Sequence, residues 1–210
     1  MKRKEMLNLH GRWCFLDEKH IANKDVVRTK ARVHPITGVL APVLVSGDFR
    51  KSFNLYVVIT ANSVEKTHPV DFSIQEENGS ASTFMSFIDY LLKRRFFKKG
   101  DVLVMDNAAI HTGGVAHDIQ WYLWDFLQDD ELLNVLVLFL PPRCPELNPI
   151  ELIFNILSSW VKSFHYQRNG ILDKVVIHHA IDVLTTISFK DVKKCYEKCG
   201  YNTKLFVDEE

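Results

Sequence analysis

Two apolar runs, one in DVLVMDN at 101–107 and one in NVLVLFLPP at 134–142, constrain what this chain can fold into. Neither alternates polar with apolar residues, so each fits a strand covered on both faces, as in parallel sheets sandwiched between helices. The first run stops at a carboxylate, Asp106, with Asn107 and His111 close behind. The second stops at Pro141-Pro142, and a strongly amphipathic helix then starts at Asn148-Pro149 with Glu151 in its first turn. In sheets of this kind ligands sit beyond the carboxyl ends of the parallel strands, and Asp106 is delivered there by its own strand.

The remaining elements fit around this pair. RWCFLDE at 12–18 reads as a short strand with Trp13, Phe15 and Asp17 at alternate positions. Further strands are expected at Val39 to Ser46 and Phe53 to Thr60, joined by a hairpin loop at 47–51, with weaker strand signals at Val70 to Ile74. Helical spacing of Phe84, Phe87, Ile88 and Leu91 predicts a helix from Ser82 or Thr83 to about Phe97, ended by Gly100. Another helix is expected from Val115 to Leu127, and the last helical stretches at Ile171 to Ile187 and Phe189 to Lys198. The sum is an α/β fold with a mixed five-stranded sheet, three antiparallel strands then two parallel, flanked by helices.

Bulk properties exclude some classes. No apolar run approaches a membrane span, and MKRKEMLNLHGRW has no signal-peptide core. The formal net charge is zero, so the whole molecule does not announce a nucleic-acid binder. Residues 1 to 51 nevertheless hold eleven Lys and Arg against five Asp and Glu, and a second basic cluster spans Lys93 to Lys99. A solvated face explains such clusters as well as a partner does. Four cysteines without secretory context fit free thiols, and a zinc site from Cys195, Cys199, His178 and His179 would have an unfamiliar spacing.

Three carboxylates carry the chemical argument. Asp106 ends a hydrophobic strand, where an unpaired carboxylate is costly to desolvate. Asp17 shares a strand face with two aromatics and asks for a partner, although Glu18 fits a ligand role equally well. Glu151 lies on the shoulder of the stripe formed by Ile150, Ile153, Phe154, Leu157, Val161 and Phe164, with Asn155, Ser158 and Lys162 along the same flank. Compensation of the helix dipole would explain Glu151 alone, with Asn148 as cap. Convergence of all three suits Mg²⁺ or Mn²⁺, and two such ions can drive phosphodiester cleavage. His111 could approach the reacting phosphate or simply cap its loop. Lys24, Arg28, Lys30, Arg32 and Arg143 are candidates for phosphate-backbone contacts.

FLDE at 15–18, VMDNAAIH at 104–111 and LPPRCPELNPIELIFNILSSW at 140–160 resemble the three signature blocks of DDE transposases of the mariner superfamily. The third block is the most specific, and the three span roughly residues 10 to 165. The resemblance implies an RNase H-like catalytic domain over 1–165, with 166–210 as a helical extension of the same domain. It implies a triad of Asp17, Asp106 and Glu151 holding two divalent ions. It also implies nicking at transposon ends and strand transfer into target DNA.

The forty-four residues between Asp106 and Glu151 exceed the usual spacing in that family, with the excess expected around Trp121 to Leu127. The chain starts sixteen residues before Asp17, which leads to the expectation that the family's N-terminal DNA-reading modules are absent. A homodimer or a separate DNA-binding subunit would then supply recognition. The competing class is a catalytically silent, transposon-derived DNA- or protein-binding module, and a nuclease for RNA–DNA hybrids is the least favoured by the NPIE string. A DNA substrate implies an intracellular protein, nuclear in a eukaryote or cytoplasmic in a bacterium.

Overall fold

The computed structural model describes residues 12–22, 52–62, 68–76, 80–107, 114–167 and 174–202. Strands β1 (Trp13–Ala22), β2 (Ser52–Thr60) and β3 (Val70–Gln75) are followed by helix α1 (Ala81–Lys93), strand β4 (Val102–Met105) and helix α2 (Gly114–Trp124). A small hairpin of β5 (Leu127–Gln128) and β6 (Glu131–Leu132) leads into β7 (Leu136–Phe139). Helices α3 (Pro149–Gln167), α4 (Lys174–Thr186) and α5 (Phe189–Lys198) complete the described chain. None of the described helices is long and apolar enough to cross a membrane.

The main sheet has five strands in the order β3-β2-β1-β4-β7. β1, β2 and β3 pair antiparallel, whereas β1 with β4 and β4 with β7 pair parallel. This is the mixed sheet expected from the sequence, with one reassignment. The expected strand at 39–46 and its hairpin loop at 47–51 lie outside the described residues, and the third antiparallel strand is β3, where strand signals were weaker. β3 is an edge strand whose residues are mostly only half-buried, so it needs no continuous apolar run.

Alternation along the strands separates two cores. Phe15, Val57 and Val104 face the side covered by α3, α4 and α5. Leu16, Tyr56, Leu103 and Met105 face the side covered by α1 and α2. The stripe on α3 is anchored as its spacing predicts, because Ile150, Ile153, Phe154, Leu157 and Val161 are all buried. Each such side chain contributes about 1.5–3 kcal/mol of hydrophobic stabilisation. Tyr196 on α5 joins this layer to the sheet: its hydroxyl lies 2.9 Å from the carbonyl oxygen of Trp13 and 3.2 Å from that of Ile59.

Helix ends depart from the sequence expectation for identifiable reasons. α1 starts at a capping box between Ser80 and Thr83 and stops at Lys93, short of Phe97. Arg95 takes a left-handed φ of 53°, and the Phe96 amide donates to the Leu91 carbonyl, so a non-glycine residue closes the helix as glycine usually does. α2 ends at Trp124 rather than Leu127, since Leu127 pairs with Leu132 in the hairpin. Asp129 and Asp130, at φ 52° and 65°, supply the two left-handed residues a tight two-residue turn demands. α5 occupies the predicted residues, started by a capping box between Ser188 and Asp191.

A buried ion pair ties the start of β1 to the start of β4. Arg12 donates through Nε to Asp101 Oδ1 at 3.0 Å and through Nη2 to the Phe96 carbonyl at 2.8 Å. Asp101 also accepts from the Lys98 amide at 2.8 Å. Both side chains are almost fully buried, so removal of one partner strands the other's charge in the interior. Asp101→Ala is therefore expected to cost about 3–5 kcal/mol of unfolding free energy in chemical denaturation. A loss below about 1 kcal/mol would show that the pair does not anchor these strands.

Candidate active site

The parallel pairing of β1 with β4 runs from Trp13–Val102 to Phe15–Val104 and then ends. Extending that register by two residues sets Asp17 beside Asp106. Both then share the parity of Phe15 and Val104, on the side of the sheet that α3 covers. β1 itself continues to Ala22, held from there on by β2, with Asp17 opposite Val57. Asp17 therefore lies in a well-ordered strand whose other edge is open.

The approach from the third side is built by the segment after β7. The Leu140 amide donates to the Met105 carbonyl at 2.8 Å, and the Asn107 side-chain amide donates to the Leu140 carbonyl at 3.3 Å. Pro141-Pro142 then ends the strand, Arg143 takes a left-handed φ of 58°, and a single 3₁₀ turn (Pro145–Leu147) leads to Asn148. Asn148 is buried. Its side-chain amide donates to Asp17 Oδ2 at 2.8 Å, and its side-chain oxygen accepts from the Ile150 amide at 3.4 Å as a helix cap. The Asn148 carbonyl receives the Glu151 amide at 3.2 Å, so Glu151 opens α3 next to the same point.

The result is one cleft of about 340 Å³ lined by Asp17, Asp106, Asn107, Arg143, Asn148 and Glu151, with Leu140, Pro141, Pro142, Cys144 and Pro145 as its remaining wall. Three carboxylates separated by up to 134 positions in the chain thus share one surface. Glu18, which fitted a ligand role equally well in sequence, does not line the cleft; strand alternation turns it to the opposite side of β1 from Asp17. His111, Lys24, Arg28, Lys30 and Arg32 lie outside the described residues. Cys144, inside PPRCPELNPIE, also lines the cleft, and its place in that string is the signal for it.

Electrostatics marks Asp17 as the unusual group. Its carboxyl is pushed up to about 8, first by burial, then by the negative charges of Asp106 and Glu18, with a smaller contribution from Glu151. The Glu18 amide, 2.8 Å from Asp17 Oδ1, opposes the shift. A buried carboxyl beside like charges is the arrangement that a bound cation relieves.

Residues 12–171 match the family model for DDE superfamily endonuclease. The chain belongs to the DDE superfamily endonucleases. No curated protein matches it in sequence. Among solved structures, this DDE domain is similar to the mariner Mos1 paired-end complex with Mg, with a TM-score of 0.54 and 17% identity over 91% of this chain and 54% of that one. It is also similar to the Mos1 transposase paired-end complex with left transposon end, with a TM-score of 0.50 and 20% identity over 94% and 58% of the two chains. The sheet and helices are therefore RNase H-like, and the likeness to these mariner structures is one of fold. The DDE chain spans a little over half the length of these Mos1 chains.

The three carboxylates of the cleft are hard oxygen donors that suit a hard divalent cation, and among the described residues the Cys144 thiol on the wall is the one soft donor in its lining. As placed, however, no three His, Cys, Asp or Glu side chains among the described residues are gathered closely enough to hold a metal ion. Cys195, Cys199, His178 and His179 likewise do not assemble into a metal-holding group. All four cysteines are free thiols, and burial pushes Cys195 up to about 11, away from the thiolate a zinc site needs.

The raised Asp17 carboxyl has a consequence for stability. From its ordinary value of 3.8 up to about 8, the folded protein holds a proton that the unfolded chain releases. Stability of the metal-free protein therefore falls as pH rises through that window, by at most about 1.4 kcal/mol per pH unit from this group. In chelator, the melting temperature of the wild type is expected to fall more between pH 5 and pH 8 than that of Asp17→Asn. Parallel pH curves for the two proteins would contradict the placement of Asp17.

Proposed function

We propose that this cleft is a metal-dependent phosphodiester-cleaving and strand-transferring site acting on DNA, as in the catalytic part of a transposase. The observation that carries the reading is the meeting of Asp17, Asp106 and Glu151, from two strands and a helix, on one cleft of an endonuclease-family domain. In this reading the three carboxylates hold Mg²⁺ or Mn²⁺, as two ions. When bound, such ions activate the attacking oxygen and stabilise the leaving one.

The chain's own residues supply the rest. Asp17, within β1, and Asp106, directly after β4, form one edge of the site at the end of the sheet, and Glu151 joins them from the first turn of α3. Asn107 holds the β4 loop against the end of β7. Arg143, exposed at the cleft wall, is positioned to meet a phosphate oxygen of the DNA strand and to favour the charge that develops there. Leu140, Pro141 and Pro142 give that side of the cleft an apolar wall.

Mos1 is seen in complex with transposon ends, and by analogy the substrates here are transposon ends and target DNA. A second copy of the chain or a separate DNA-binding subunit is the partner this reading suggests. Residues 166–210 belong, in this reading, to the same domain as 1–165, consistent with the core shared by α3, α4 and α5. The competing reading, a silent DNA- or protein-binding module, draws support from one observation: the carboxylates are not gathered into a ready-made chelate.

Nicking of a supercoiled plasmid separates the two. With Mg²⁺ or Mn²⁺ the protein is expected to convert supercoiled to open-circular DNA, and chelator or Asp106→Ala is expected to reduce the rate at least 100-fold, an order-of-magnitude figure for loss of a metal-ion contribution worth several kcal/mol. Absence of nicking by the folded protein, together with no calorimetric metal binding, would favour the silent module.

A further inference from the structure

Asn148 makes two contacts that serve different ends. Its side-chain oxygen caps α3 through the Ile150 amide at 3.4 Å, while its side-chain amide reaches 131 residues back to Asp17 Oδ2 at 2.8 Å. Capping alone would be served by Ser, Thr or Asp. Only a residue offering an acceptor on one branch and a donor on the other can cap the helix and also hold a carboxylate. Among the short capping side chains that is Asn. The amide is buried, and the acceptor it meets is the most deeply placed carboxylate of the cleft, itself only 6% exposed.

We propose that Asn148 is a positioning residue that couples the orientation of Asp17 to the placement of Glu151. This assignment rests on the reading of the cleft as a metal site. Asp17 Oδ1 is held by the Glu18 amide and Oδ2 by Asn148, so the carboxylate plane is fixed from two sides. Each oxygen still has a second lone pair for a cation. The same Asn148 residue receives the Glu151 amide on its own carbonyl. One side chain and its backbone therefore set the relative position of two carboxylates that approach from different elements. Outer partners of this type change metal affinity by about 10–100-fold when removed, with little change in the fold.

The test compares Asn148→Ser and Asn148→Asp with the wild type. Both substitutions keep a helix-capping oxygen. Serine cannot span to Asp17, and aspartate presents an acceptor where Asp17 needs a donor. Melting temperature in chelator reports the cap, and Mn²⁺ titration by calorimetry reports the coupling to Asp17. Expected is a midpoint within a few degrees of the wild type for Asn148→Ser, with Mn²⁺ affinity lower by about 10–100-fold, and a loss at least as large for Asn148→Asp. The Mn²⁺ concentration for half-maximal plasmid nicking should rise by a similar factor. Unchanged Mn²⁺ affinity in a folded Asn148→Ser protein overturns the assignment and leaves Asn148 a helix cap. A wild-type protein that binds no Mn²⁺ overturns the metal reading itself, and this assignment with it.

Discussion

The early end of the parallel pairing between β1 and β4 is the constraint on which the site depends. For three residues the two strands share a ladder, and the core closes over Phe15 and Val104. Beyond that point β4 stops and β1 goes on, so the next residues of matching parity, Asp17 and Asp106, stand at an edge instead of inside a sheet. A carboxylate two residues earlier on either strand would be sealed under α3 with no route to water or a cation. The register thus decides both that the carboxylates meet and that something can reach them.

That arrangement carries a strain that the surrounding residues address only in part. Asp17 keeps its burial and its acidic neighbours, and the Glu18 and Asn148 amides compensate it with hydrogen bonds. Neutral donors lower the cost of a buried carboxylate without cancelling its charge. Stability would be better served by an apolar residue at position 17, packed like Phe15. A carboxylate this deeply buried beside like charges marks a functional-site candidate, and in the proposed reading a divalent cation would supply the missing charge.

Much of this was legible in the sequence because it rests on short-range signals. The apolar runs at β4 and β7, the Pro141-Pro142 stop and the 3.6-residue stripe on α3 each depend on a few consecutive residues, and Asp106 and Glu151 follow from them. Asp17 and Glu18 could not be separated by composition, because their difference is one step of strand alternation, which only the pairing with β2 and β4 fixes. The role of Asn148 toward Asp17 was hidden for the same reason, since no local pattern links residues 131 apart. The ends of α1 and α2 were missed where Arg95, Asp129 and Asp130 adopt left-handed backbone, a conformation sequence rules assign first to glycine.

Charge distribution bears on how a polyanion can approach. The basic cluster at Lys93 to Lys99 fits a solvated face or a partner surface equally well in sequence, and the structure commits three of its cations to acids. Arg94 pairs with Asp71, Arg95 with Asp129 in a two-bonded fork, and Lys99 with Glu131. These are exposed pairs that add little to stability, but each places an anion within a few ångströms of a cation, and at physiological salt their combined field fades within about 8 Å. The cluster also precedes β4, whereas Asp106 follows it, so a strand of roughly 13 Å separates the two ends. A DNA strand held by that cluster would lie at the wrong end of the sheet for Asp106. Approach from the cleft end, past Arg143, satisfies both the charge pattern and the geometry of the proposed reading, and the paired basic cluster is left as a solvated face beside the β5–β6 hairpin and the β3 edge.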